Sequence, residues 1–325
     1  MMDTRERAEP CPVCSAEQVR FLFSARNLHS LAPEEYDLFS CRTCTHRYVY
    51  PLPEPDELAR YYRRGYWSEM EEAGEIDAGV RRLLARLQQE HPGGRVLDVG
   101  CAAGRKAAVM RDMGLRVVGL EPYEEGCRLA WESHGLEVTC AYLQDADLPP
   151  ESFDAVTFFD VIEHVNDPVG DLRAAYGLLK PGGTVYLKVP NMRSWQARLF
   201  GKWWAVLDPP RHLHHFTPKS LRQALLTTGF ADIWSSSPPD PLAASHFEQS
   251  VILRLRHLLW ARRGITVTAA EGVTTEEVLE HQVCPTVPSG MKQVVRRLAR
   301  YVLYAPMACE NLVGRSTTLL AGGVR

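Results

Sequence analysis

From residue 94 the chain alternates short apolar runs with amphipathic stretches, and that alternation leaves few folds open. Strands are expected over 95–100, 115–120, 136–140, 153–159, 184–189 and 231–236, with helices over 105–113, 126–134 and 169–179 between them. A strand–helix–strand series builds a parallel sheet with right-handed crossovers, because a right-twisted strand feeding a helix packs back onto its sheet in that sense. Ligands of such sheets sit beyond the carboxyl ends of the strands. The chain has 325 residues, 45% hydrophobic and 24% charged, which suffices for such a domain plus a small module and excludes wholesale disorder. Lys or Arg interrupts every apolar stretch before it reaches the ~20 residues of a spanning helix. The charged start MMDTRERAEP has no apolar core, so a cytoplasmic protein without a secretory signal is expected.

A second signal precedes the alternation. Cys11-Pro-Val-Cys14 and Cys41-Arg-Thr-Cys44 each place two thiols across one tight turn, the spacing of a zinc ribbon. Four thiolates saturate Zn²⁺ and leave no open coordination position, so the expected site is structural. The 26 intervening residues hold β-like runs over 19–23 and 36–39. His29 and His46 find no vacancy among four thiolates and are expected at the surface. Cys101, Cys127, Cys140, Cys284 and Cys309 are scattered and do not form the pattern of a disulfide framework. After the rigid Pro51-Leu-Pro-Glu-Pro55, the aromatics Tyr61, Tyr62, Tyr66 and Trp67 fit either a substrate lid or a joint between module and core. A helix follows, with Val80, Leu83, Leu84 and Leu87 on one packing face.

Within the alternating region, three features describe a ligand. The turn Asp98-x-Gly100-x-Ala102-x-Gly104 is built of small residues that let a ligand approach the backbone. Glu121 closes the second strand, placed to accept hydrogen bonds from ribose hydroxyls. The G-x-G-x-x-G spacing that seats a pyrophosphate is missing, as is a G-x-x-x-x-G-K-[ST] phosphate loop. S-adenosylmethionine, with one ribose and an amino acid in place of phosphates, meets these requirements.

Longer stretches carry a resemblance: VLDVGCAAGR (96–105), VVGLEP (117–122), SFDAVTFFDVIEHVNDP (152–168), LLKPGGTVYLKVPN (178–191), PPRHLHHFTPKSLRQALLTTGF (209–230) and the final TTLLAGGVR. The chain resembles class I S-adenosylmethionine-dependent methyltransferases that carry an N-terminal zinc ribbon. It is similar to sugar C-methyltransferases and, over the core, to ubiquinone-type O-methyltransferases. The resemblance implies an α/β fold with a seven-stranded Rossmann-like sheet, a small N-terminal zinc-binding module and a helical insertion before an antiparallel last strand. The expected divisions are a module over 1–54, a helical connector or lid over 55–92, a cofactor-binding core over 93–239, an insertion over 240–310 and the last strand over 311–325. By the same resemblance, the turn with Asp98, Gly100, Cys101, Ala102 and Gly104 surrounds the methionine moiety, Glu121 binds ribose and Pro122 packs by the adenosine. Gln144 or Asp145 borders the adenine, and Asp160 borders the amino-acid end. Ala102 stands where the family has glycine, a change tolerated if its φ is negative.

Methyl transfer from a sulfonium needs alignment, exclusion of water and, for many acceptors, a base. Candidates for the base are His164 after the fourth strand and His212, His214 and His215 after the fifth, with Asn191 at the end of that strand. No zinc site is expected from these histidines, since no carboxylate or cysteine stands at a suitable spacing. Trp203 and Trp204 fit packing better than a pocket wall. In the insertion, Met291, Val294, Val295, Leu298, Val302 and Leu303 form a helical stripe among basic residues. Residues 250–304 therefore suit either a helical cap on the core or a second subunit, or weak contact with an anionic membrane surface. The expected acceptor is a small biosynthetic molecule, such as a nucleotide-linked sugar or a lipid-linked intermediate, methylated on carbon or oxygen. The alternatives are an RNA-base methyltransferase, disfavoured by a net charge of -3, and a non-catalytic cofactor-binding scaffold.

Overall fold

The computed structural model describes residues 9–27, 34–53, 57–58, 61–62, 67–68, 76–238, 242–262 and 316–325. Near the N-terminus, β1 (Val19–Arg26), β2 (Glu35–Cys41) and β3 (Arg47–Val49) pair antiparallel. The sheet is completed from far along the chain: β9 (His214–His215) pairs with β3, His215 opposite Arg47 and His214 opposite Tyr48.

Helix α1 (Ala78–Glu90) starts where the Asp77 carboxylate accepts hydrogen bonds from the Gly79 and Val80 amides, satisfying two of the donors a helix start leaves open. It buries Val80, Leu83, Leu84 and Leu87, as the spacing of those residues requires. The main alternation then unfolds as β4 (Arg95–Val99), α2 (Arg105–Asp112), β5 (Arg116–Leu120), α3 (Glu124–His134) and β6 (Val138–Thr139). It continues with β7 (Phe153–Phe159), α4 (Pro168–Leu178), β8 (Leu179–Pro190) and α5 (Trp195–Phe200). After β9 come α6 (Pro218–Thr227), β10 (Ala231–Ser236), α7 (Ala243–Arg262) and β11 (Thr318–Val324). Among the described residues the main sheet has seven strands, ordered β10-β11-β8-β7-β4-β5-β6. Strands β6, β5, β4, β7 and β8 run parallel, while β11 lies antiparallel between β8 and β10.

Both faces of this sheet are covered, which is why its strands read as nearly continuous apolar runs. Leu97, Val156 and Leu187 pack with Leu172 of α4 and with Leu221 and Leu225 of α6. Their chain neighbours Val96, Ala155 and Tyr186 face the other side, against α1 and the Ala107 and Met110 side chains of α2. Cys11, Cys41 and Cys44 belong to the first of these clusters, with Phe216 and Leu221, so the cysteine-bearing module is built onto the main core.

Two expectations change here, and a third element takes one of its expected places. His46 is fully buried rather than at the surface, wedged between Tyr48, His214 and Phe216. Cys127 and Cys140 form a disulfide between α3 and the residue following β6, so two of the scattered cysteines are paired. The first helix of the insertion, α7, is docked through Phe247 against Phe200 and Trp195 and through a buried Ser250 that accepts the Ala205 amide. The stripe over 291–303 lies outside the described residues, as do His29 and Tyr66. No helix among the described residues is long and apolar enough to cross a membrane.

Candidate functional site

Strands β7, β4 and β5 are neighbours, and each ends close to an acid: Asp160 after β7, Asp98 within the last residues of β4, Glu121 after β5. The parallel sheet thereby lines up three carboxyl groups along its carboxyl edge.

Asp98 is 1% exposed. Thr157 Oγ1 donates to its Oδ1 at 2.6 Å, while Oδ2 is buried with no hydrogen-bond partner among the described residues. Burial pushes the carboxyl up to about 6. An orphaned buried acceptor costs about 1–3 kcal/mol, and a donor or cation arriving from the cleft recovers it. Glu121 is equally buried, and it accepts the Ala102 amide at 3.0 Å and the Tyr123 amide at 3.2 Å, one on each oxygen. Each oxygen keeps a lone pair for a hydroxyl. Burial pushes this group up to about 7 against those two hydrogen bonds.

The turn between β4 and α2 needs its glycines for space and for conformation. Gly100 has φ +64°, and a Cβ there would stand 2.6 Å from Val161 Cγ2. Gly104 has φ +89°, and a Cβ would stand 2.5 Å from Leu136 Cδ1. Ala102 departs from the expectation, since its φ is +53° rather than negative. A left-handed alanine costs about 1–2 kcal/mol, and here that conformation aims the Ala102 amide at Glu121. Cys101 is buried, which pushes its thiol up, and its sulfur packs against Gly119 of β5. Pro122 is half-buried beside Tyr123, whose ring meets Tyr62 at 5.1 Å and Trp67 at 5.5 Å. Gln144 donates to Asp171 Oδ1 at 3.0 Å, and Asp145 is exposed.

Asp160 has φ +62° and is gripped by Lys188 at 2.6 and 2.8 Å, with Lys106 at 3.6 Å. Burial works to raise its carboxyl, but the two lysine charges outweigh it and hold the group at about 2. Lys188 also meets Asp77 at 3.1 Å, joining the start of α1 to the edge of the sheet. Sequence reasoning missed Lys188, although a lysine inside the apolar run YLKVP was its visible sign.

The histidines divide into two groups. His164 and His212 rings meet edge to face at 4.7 Å. Backbone carbonyls engage the Nδ1 of both rings, Arg211 O at 2.8 Å from His164 and Val206 O at 2.9 Å from His212. A ring held at Nδ1 is fixed in orientation and tautomer, which makes Nε2 the basic nitrogen. Burial and the neighbouring His212 pull His164 down to about 3, so it is neutral at physiological pH. The Tyr62 hydroxyl lies 3.3 Å from His164 Nδ1, bringing the aromatic connector to this cluster. Beside the pair stands Glu163, 1% exposed, with neither carboxyl oxygen partnered among the described residues. Burial, with the charge of Asp160 adding to it, pushes Glu163 up to about 8. Glu163, His164 and His212 bring one donor atom each within 4.8 Å of one another, a set that could hold a divalent ion with open positions. This corrects the expectation that no carboxylate accompanies these histidines. Glu163 was missed although it directly precedes His164 in the chain.

His214 and His215 are placed elsewhere, in β9 at the edge of the four-stranded sheet. His214 Nδ1 shares a hydrogen bond with His46 Nε2 at 3.1 Å, and burial pulls His214 down to about 4. Asn191 is likewise engaged in structure: its amide donates to Ser316 O at 2.9 Å and Ser237 Oγ at 3.1 Å, and its Oδ1 accepts the Arg193 amide. It ties the end of β8 to the chain entering β11. Trp204 is fully buried, in a cluster with Leu38 and Phe200.

Residues 66–235, more than half of the chain, match the family model described as a methyltransferase domain. The chain belongs to this family. The ubiquinone biosynthesis O-methyltransferase of Xanthomonas campestris pv. campestris is 37% identical over 134 residues, 38% of this chain and 56% of that protein. The protein of the same name from Sodalis glossinidius is 36% identical over 178 residues, 50% of this chain and 71% of that protein. The match with the Xanthomonas protein thus takes in little more than half of that relative's length. Among solved structures, phosphoethanolamine N-methyltransferase 2 of Haemonchus contortus aligns with a TM-score of 0.51 at 17% identity, covering 94% of this chain and 69% of that one. A chain of the Haloferax volcanii complex of the Trm112 methyltransferase activator with a methyltransferase aligns with a TM-score of 0.50 at 18% identity, covering 84% and 99%. At those identities the likeness is one of fold.

The methyltransferase-domain match begins beyond the four N-terminal cysteines, which form a cluster of their own. Cys11 and Cys44 sulfurs lie 3.6 Å apart, as do those of Cys14 and Cys41. That is far too long for a disulfide and close to the ~3.8 Å edge of a tetrahedron with metal–sulfur bonds of about 2.3 Å. Each pair sits on a matching turn: Ser15 and Thr45 both take positive φ, and their amides donate to Cys11 O and Cys41 O. The Thr43 and Cys44 amides point at Cys41 Sγ at 3.3 and 3.4 Å, hydrogen bonds that stabilise a thiolate. The donor set, its spacing and its burial fit a structural zinc ion.

Proposed function

We propose that this methyltransferase-domain protein moves the methyl group of S-adenosylmethionine to a hydroxyl oxygen of a small acceptor. The observation that carries the reading is the edge of buried acids, above all the unpartnered Oδ2 of Asp98 beside a turn of small residues. A cofactor bearing an ammonium, a sulfonium and a ribose diol supplies what these groups lack. On this reading Asp98 receives the cationic amino-acid end, and Gly100, Cys101, Ala102 and Gly104 form its backbone wall. Glu121 accepts the ribose hydroxyls, Pro122 flanks the adenosine, Gln144 or Asp145 borders the adenine, and Asp160 with its lysines closes the amino-acid end. Zinc on Cys11, Cys14, Cys41 and Cys44 is structural.

The chemistry is an in-line displacement. A lone pair of the acceptor oxygen forms the new C–O bond while the C–S electron pair returns to sulfur, leaving S-adenosylhomocysteine. The hydroxyl proton passes to the cluster of Glu163, His164 and His212, with Glu163 as its acceptor in the ionised form, which grows as pH rises toward about 8. Tyr62, Trp67 and Tyr123 stack beside this region and exclude water from it.

Calorimetric titration tests the cofactor half. Glu121→Ala is expected to weaken S-adenosylmethionine binding by about 1–3 kcal/mol, the scale of hydrogen bonds lost to a buried charged group. Unchanged affinity would remove the ribose assignment. The wild-type chain carries its own control, because a carboxylate accepts hydroxyl hydrogen bonds on both oxygens and more strongly than a carboxylic acid, one of whose oxygens becomes a donor. With Glu121 titrating at about 7 and Asp98 at about 6, cofactor affinity should fall as pH is lowered from 8 to 6, with protons released on binding in that window. The pH dependence should flatten in Glu121→Gln.

A further inference from the structure

A cavity of about 310 Å³ opens where the cysteine module meets the main domain, lined by Arg20, Arg42, Arg47 and Arg193 together with Ser40, Thr45 and Thr217. The four arginines come from separate places: Arg20 from β1, Arg42 from the second cysteine turn, Arg47 from β3, and Arg193 from the loop after β8. Among the described residues no carboxylate lines the cavity and none of the four arginines makes an ion pair. Arg47 is half-buried; desolvation, then the charges of Arg20 and Arg193, pull its guanidinium below the usual range. Like charges gathered around one hollow are expensive unless a counter-charge enters it.

The cysteine centre does not supply enough of that charge. Cys41 borders the cavity, but zinc on four thiolates has a formal charge of minus two, which leaves two positive charges of the four uncompensated. Guanidinium forks match phosphate oxygens two at a time, and hydroxyls of Thr45 and Thr217, 2.7 Å from each other, stand at the same wall. We propose that this cavity is a binding site for a phosphate or diphosphate group of a small molecule. The site is separate from the cofactor edge but not remote from the acceptor cluster. Arg47 pairs with His215, whose ring lies 6.4 Å from that of His212. The natural source is therefore a phosphorylated methyl acceptor whose anionic end is held between the module and the domain.

The test uses the zinc-loaded full chain and pyrophosphate, with inorganic phosphate as the smaller probe, in calorimetry at low salt. Pyrophosphate should bind at sub-millimolar concentration, and S-adenosylmethionine should bind independently of it. Arg42→Ala and Arg193→Ala, both at exposed positions, should each weaken pyrophosphate by about tenfold, the worth of one charge-assisted contact, and leave cofactor affinity and zinc content unchanged. Arg193→Lys should restore part of the loss. Absence of pyrophosphate binding, or equal binding by the alanine variants, would overturn the proposal. So would loss of zinc from those variants without a wild-type affinity for pyrophosphate, which would make the arginines mere counter-charges of the thiolates. Single-stranded RNA is the third probe. Tight RNA binding with a steep salt dependence that pyrophosphate fails to compete would replace the small-molecule site with a nucleic-acid surface.

Discussion

Stripping the metal with a chelator, or changing Cys44 to serine, is expected to lower the melting temperature by about 6–10 °C and to abolish methyl transfer. Zinc contributes about 10–16 kcal/mol to an isolated finger. Even a third of that, about 3–5 kcal/mol, is worth about 2 °C per kcal/mol in a domain of this size. The damage should spread because Cys11, Cys41 and Cys44 pack in one cluster with Phe216 and Leu221. It should also reach the acceptor side by a short route. Strand β3 holds β9, and the Leu213 and His214 amides at β9 donate to the backbone carbonyl of Glu163. Cofactor binding at the ends of β4 and β5 should survive where the remaining domain stays folded. A melting curve unmoved by chelation, with four titratable thiols in the native protein, would mean that the two cysteine turns hold no metal.

Glu163→Gln should reduce kcat by about 10²–10⁴-fold, the range for a positioned proton acceptor, with cofactor affinity within twofold of wild type. Glutamine keeps the shape and removes a buried, unpartnered carboxyl, so thermal stability should be equal or higher. That combination separates a catalytic loss from a folding loss. His164→Ala and His212→Ala should lower kcat in the same direction, whereas His214→Ala should act mainly through stability, since its buried ring is bonded to His46 beside the four-stranded sheet. Chelation at a dose that leaves the melting temperature unchanged reads out the other property of the cluster. Loss of activity reversed by a divalent ion would place that ion on Glu163, His164 and His212; indifference would leave Glu163 as the base. Full activity in Glu163→Gln would overturn the assignment of this cluster.

Much of the architecture was legible because its causes are local. The apolar runs at 95–100 and 153–159 are strands whatever surrounds them, and the small residues from Gly100 to Gly104 turn the chain in any context. The same holds for the C-x-x-C pairs, where two intervening residues define the geometry. Glu121 was singled out by its place at a strand end, Asp98 by the turn it opens and Asp160 through the resemblance, and parallel strands in register bring such ends together. Ala102 marks the limit of this reasoning, because nothing beside it in the chain revealed the positive φ that lets its amide reach Glu121.

What the sequence by itself determined is the strand order's raw material: alternating elements, a backbone turn shaped for a small ligand, and four thiols spaced for one ion. What only the tertiary structure decided is which distant side chains meet. The run His212-Leu-His-His215 reads as one cluster, yet the fold sends His212 to His164 and Glu163, and His214 to His46. Four arginines with nothing in common along the chain surround a single cavity. Local patterns are enforced by bonded geometry and periodicity within a few residues, whereas these meetings join segments far apart in the chain, 168 residues for His46 and His214, and no short stretch of sequence encodes that partner choice.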